Sequence, residues 1–164
     1  LFLVSIVLLI SNTSQAQQKQ KIGHVNSAEL LQMMPGREEA QKQLVDYANE
    51  LEKQLQLMTN EFETKYQEYL ANESSMTAIL KKSKEKELTD FQSRIVEFQE
   101  SAQEDLAKKE NELVAPLLQK AQDAIKDVAK EKGYTYILDV SSGTVLYFDE
   151  GEDIMESVKK KLGI

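Results

Sequence analysis

"GYTYILDVSSGTVLYFDEGED" (Gly133–Asp153) decides how the chain folds. Its apolar residues alternate. Tyr136, Leu138 and Val140 face one way, with Ile137 and Asp139 opposite. Ser141-Ser142-Gly143 supplies turn chemistry, and "TVLYFD" then alternates again, with Val145 and Tyr147 opposing Leu146 and Phe148. Period-two patterning on both sides of a Ser/Gly turn predicts a two-stranded hairpin. A lone hairpin is marginal in water, so this one needs a partner. The local candidate is the strand-like "KIGHVNS" (Lys21–Ser27), over Ile22 to Val25.

Between those segments the period is helical. Asn26 and Glu29 form a capping box for "AELLQMM", which Pro35-Gly36 interrupts. From Arg37 to about Asn72 the apolar positions are Leu44, Ala48, Leu51, Leu55, Met58, Phe62, Tyr66 and Tyr69. Steps of three and four make a heptad seam with a stutter near Phe62. "ANESSMTA" (71–78) breaks the pattern with residues that compete for backbone hydrogen bonds. The seam resumes from Leu80 through Phe91, Ile95, Phe98, Leu106 and Leu117 to Val128, and Gly133 ends it. Two helices with one apolar stripe each, joined by a polar tip, predict an antiparallel hairpin reaching about 50 Å. The return helix is the longer one, so its lower part must pack elsewhere, with the short first helix as candidate. Pro116 lies inside it and predicts a bend between shaft and base. Asp153 and Glu156 cap a last helix, "IMESVKKKL", closed by Gly163.

The expected fold class is therefore α+β. A long antiparallel coiled-coil hairpin (37–132, tip near 71–78) stands on a small β-sheet body (17–36 and 133–164) that oligomerises. Three short strands with two apolar faces leave open edges and greasy surface in one subunit. Closing several copies into a shared β body removes both. The residues placed in that oligomer core are Ile22, Val25, Tyr136, Leu138, Val140, Val145 and Tyr147.

Composition narrows the function. "LFLVSIVLLI" followed by "SNTSQA" puts small residues at Ser14 and Ala16, the pattern of a signal peptide (1–16) cleaved after Ala16. The apolar run is too short to span a membrane. With no cysteine there is no disulfide, thiolate nucleophile or thiolate metal site. A net charge of −8 argues against a nucleic-acid partner. His24 is the only imidazole and has no triad or second ligand beside it. "DEGED" lacks the spacing of a calcium loop, and the glycines make no phosphate loop. No enzyme chemistry, cofactor or metal is implied.

The opening segment "KIGHVNSAELLQMMP", the long polar helical hairpin and the ending "VAKEKGYTYILDVSSGTVLYFDEGEDIMESVKKKL" resemble the Skp (OmpH-like) periplasmic chaperones over essentially the whole mature chain. The two ends carry the resemblance, since the coiled-coil middle is generic. It implies a homotrimer joined through a β body, with three helical tentacles around a cavity. It also implies a periplasmic, ATP-independent holdase that shields unfolded outer-membrane β-barrel proteins from aggregation. The best-known member has positively charged tentacles, whereas this chain is acidic. The alternatives are a structural coiled-coil envelope protein and an adaptor with a fixed folded partner.

Client contacts on this reading fall on the arm and its tip. Tyr66 and Tyr69 are arm aromatics, joined by Tyr47 and Phe98 where they escape the seam. Met76, Ile79 and Leu80 are apolar at the tip, and methionine adapts to varied partners. "LKKSKEKE" (Leu80–Glu87) supplies Lys81, Lys82, Lys84 and Lys86, read as a solvated helix face or as a basic tip for anionic headgroups or an acidic client.

Overall fold

A computed structural model describes residues 20–148 and 152–164. The expected signal peptide (1–16) and its cleavage after Ala16 lie outside these residues, as does part of the acidic "DEGED" loop.

The chain opens with strand β1 (Ile22–Val25). Helix α1 (Ser27–Met33) follows, and the Asn26 side chain accepts from the Glu29 N–H at 3.1 Å, as the capping box requires. Met34 precedes a proline and is extended, with ψ 133°, because proline crowds the helical conformation of the residue before it. Gly36 turns the chain at φ 89°, a left-handed conformation that only glycine adopts freely. Helix α2 (Arg37–Asn72) then runs out 36 residues, about 54 Å at the helical rise. A single 3₁₀ turn (Glu73–Ser75) makes the tip. Helix α3 (Ala78–Lys132) begins where Thr77 Oγ1 accepts from the Leu80 N–H, and returns over 55 residues.

The heptad seam forms as read. Tyr69 and Phe91 are buried, while Leu44, Ala48, Leu51, Leu55, Met58 and Phe62 are half-buried against α3. Phe62 meets Phe91 across the hairpin at 6.2 Å between ring centroids. Pro116 lies within one continuous α-helix, which excludes two helices meeting end to end. Gly133, at φ 70°, closes α3, and the Tyr134 N–H donates back to the Ala129 carbonyl.

The lower part of α3 belongs to the base. Leu30 and Met34 from α1, Ala121, Ala124 and Val128 from α3, and Val25 from β1 form one core. Met155 and Val158 of helix α4 (Met155–Leu162), with Ile154 just before it, complete the core. Asp153 accepts from the Met155 N–H at 2.8 Å to start α4, and Lys161 pairs with Glu131 and Asp127 of α3.

Strand β2 (Tyr136–Asp139) pairs with β1 in parallel, Ile22 opposite Tyr136 and Val25 opposite Asp139. The helical hairpin thus returns the chain to its first strand, as anticipated. The antiparallel hairpin after Gly133 is not observed. The Ser141–Gly143 turn is present, with Gly143 at φ 68°, but Thr144–Phe148 forms no strand. Leu146 and Tyr147 are 96% and 86% exposed. A β-rich sequence becomes a strand only where a neighbouring strand and a packing surface receive it. β2 spends one edge on β1, and among the described residues no strand lies along the other. On the far side of β1, Asp153 makes a parallel bridge to His24.

Candidate functional site

The parallel register sorts side chains between the two faces of the sheet. Gly23 with Ile137, and Val25 with Asp139, face the protomer's helices. Ile22 with Tyr136, and His24 with Leu138, face outward. On that outer face Ile22, Tyr136 and Leu138 are 44%, 55% and 41% exposed. Tyr147 and Leu146 stand out beside them in the sequence-adjacent segment, and Val145 and Val140 are half-buried. His24 is the exception, 4% exposed, with the Phe148 ring lying over it at 4.2 Å between centroids. Of the seven expected core residues, Ile22, Tyr136, Leu138 and Tyr147 are exposed and Val140 and Val145 are half-buried. Val25 is neither. It is 2% exposed within the protomer's own core, because its partner across the register, Asp139, faces α1. Leu146 and Phe148, which alternation sets opposite Val145 and Tyr147, are exposed as well.

The inner face is closed by polar chemistry. Asp139 accepts from the Ser27 N–H at 3.2 Å, the Ser27 hydroxyl at 2.5 Å and the Ser141 N–H at 2.9 Å. Burial pushes this carboxyl up, but those hydrogen bonds outweigh it and hold it at about 2.

At the other end, a pocket of about 380 Å³ lies between the end of α2 and the start of α3. Tyr69, Met76, Leu80 and Leu88 line it, with Lys65 and Lys84 at its rim. Tyr69 is buried as the pocket wall, and its hydroxyl donates to Glu85 at 2.9 Å. Burial, and then the carboxylate it bonds, push that phenol up to about 12. Tyr66 is 40% exposed, Leu80 46% and Ile79 85%, while Met76 is half-buried. The tip lysines are largely spoken for. Lys81 pairs with Glu73, Lys84 with Glu87 at 2.8 Å, and Lys86 with Asp90 at 2.7 Å. Only Lys82 of the four has no ion pair among the described residues. The solvated, self-neutralised face is the better description of "LKKSKEKE".

Among the described residues no group of His, Asp and Glu could hold a metal ion, and no helix is long and apolar enough to cross a membrane.

The model of the family "Outer membrane protein (OmpH-like)" matches residues 21–162, from β1 through α4. The chain belongs to the OmpH-like family. Its relatives include a protein from Photorhabdus laumondii named "Chaperone protein Skp", 31% identical over 147 residues that span 90% of this chain and 88% of that one. Another of the same name, from Pectobacterium atrosepticum, is 27% identical over 94% of this chain and 93% of its own. The crystal structure of an OmpH-like protein from Caulobacter crescentus superposes with a TM-score of 0.74 at 12% identity, over 87% of this chain and 83% of that one. The arm on a small α/β base is therefore the OmpH-like fold. The OmpH-like relatives carry the name of a chaperone, not of an enzyme.

Proposed function

We propose that this chain is a periplasmic holdase chaperone that works without nucleotide, as a homotrimer, on unfolded outer-membrane β-barrel proteins. The observation that carries this reading is the outward apolar face of the base, Ile22, Tyr136 and Leu138, on a protomer whose arm stands free. A soluble monomer has no use for such a face, and copies joined there set their arms side by side around a shared space. The chaperone name of the relatives agrees with it. An unfolded barrel segment exposes alternate apolar residues and unpaired backbone, and arms around it keep it from meeting another such segment. Each contact is weak, and enclosure supplies the effective concentration that makes many weak contacts hold. Release then follows from the client's own folding.

The test is an aggregation assay. A urea-unfolded outer-membrane barrel is diluted into buffer with and without the mature chain, and turbidity is followed without nucleotide. Suppression at a few-fold excess is expected. Unchanged turbidity would move the reading to a structural coiled coil or an adaptor and leave the fold as described.

A further inference from the structure

Midway along the arm the seam is under-filled. Ala48 on α2 and Ala102 on α3 fall in neighbouring layers, and their missing side chains open a groove of about 420 Å³. Leu51, Leu55, Phe98 and Leu106 line it, all half-buried, and the Gln99 and Gln103 side chains form part of its wall. Glu52 also lines it.

The charge around this groove is mostly negative. On α2, residues 43–55 carry Asp46, Glu50 and Glu52 against a single cation, Lys53. On α3, residues 95–107 carry Glu97, Glu100, Glu104 and Asp105, with Arg94 just before them and Lys108 and Lys109 just after. All of these carboxylates are exposed, and none is ion-paired among the described residues. The ion pairs of the arm lie elsewhere. They cluster toward the tip, as in Lys65–Glu87 and Lys84–Glu87, or at the base, as in Lys126–Asp123. Outnumbering Lys53 along these spans, the mid-arm carboxylates give a net negative potential around an apolar slot, and salt screens it over about 10 Å at 0.1 M.

We infer that this groove binds unfolded polypeptide segments in which Lys or Arg alternate with apolar residues: the apolar side chains enter the slot and the cations meet the surrounding carboxylates. The inference rests on the holdase reading and names which part of a client the arm takes. An acidic segment of equal hydrophobicity is repelled by the same field.

Two fluorescent peptides of equal length, one alternating Leu and Lys and one alternating Leu and Glu, are titrated with the mature chain and followed by anisotropy. The Leu–Lys peptide should bind about tenfold more tightly at low salt, with the preference shrinking at moderate salt. Combining Glu52→Gln, Glu100→Gln, Glu104→Gln and Asp105→Asn should abolish the preference with helicity retained, since these positions are exposed and Gln is as good a helix former as Glu. Ala102→Leu, which fills the slot, should weaken Leu–Lys binding. Equal affinity for the two peptides, or a preference that survives both sets of substitutions, overturns the inference. The barrel turbidity assay separates the two claims. Suppression without peptide preference keeps the holdase and removes the groove, whereas preference without suppression keeps the groove and removes the holdase.

Discussion

Among single residues, Asp139 does the most to tie distant parts of the chain together. Its carboxylate bonds both the backbone and the hydroxyl of Ser27 at the start of α1, and the turn at Ser141. With its value held at about 2, below an ordinary aspartate near 3.9, it stabilises the fold fully above the unfolded value. That contribution is lost as pH falls through about 4 toward 2. Thermal melts across this window should show a steeper loss for the wild type than for Asp139→Asn. At neutral pH the variant should be less stable by about 1 kcal/mol. Identical pH slopes would place the acid sensitivity in other carboxylates. Nothing local in the sequence marks this clamp, because Ser27 and Asp139 are 112 residues apart and meet only once β1 and β2 pair.

At the scale of elements, the helices were legible and the strands were half so. The bounds of α2 and α3 follow from apolar steps of three and four, from Gly36 and Gly133 at the ends, and from the Asn/Ser/Thr break at the tip. Those signals are local, and each helix satisfies its own backbone. Strands depend on what lies beside them. The alternation in Thr144–Phe148 matches that in Tyr136–Asp139, yet only the latter finds β1, at a register set by the helical excursion between them. The candidate site divides the same way. The outward placement of Tyr136 and Leu138 was readable from period two, whereas the burial of Val25 depended on which face α1 covers. Pro116 gives a test at this scale. It lacks the N–H that an interior helical position donates, so Pro116→Ala should raise the melting temperature, with a gain of up to about 3 kcal/mol. A lowered melting temperature would mean that the packing of α1 and α4 requires the perturbation the ring imposes.

For the whole molecule, the proposed function assigns assembly to the outer face of the sheet and capture to the arm. Leu138 is 41% exposed and lies outside the protomer's core cluster, so Leu138→Asp should leave the protomer folded while placing a charge on the joining face. Light scattering should then report the mass of a single chain, with the helical signal in circular dichroism retained. An unchanged assembly mass would remove this face from the interface. The same variant should lose turbidity suppression, since a lone arm encloses nothing.

The parallel pairing of Ile22 with Tyr136 joins residues 114 positions apart, and most of the intervening chain is arm. Closing so long a loop by chance contact is entropically slow and unfavourable. The α2–α3 hairpin shortens that search, because its contacts are formed by neighbours along the chain, starting at the tip and zipping toward the base. Each layer of the hairpin that forms brings β1 and β2 nearer to each other. The arm is thus also the connection that brings the two strands of the base within reach of each other.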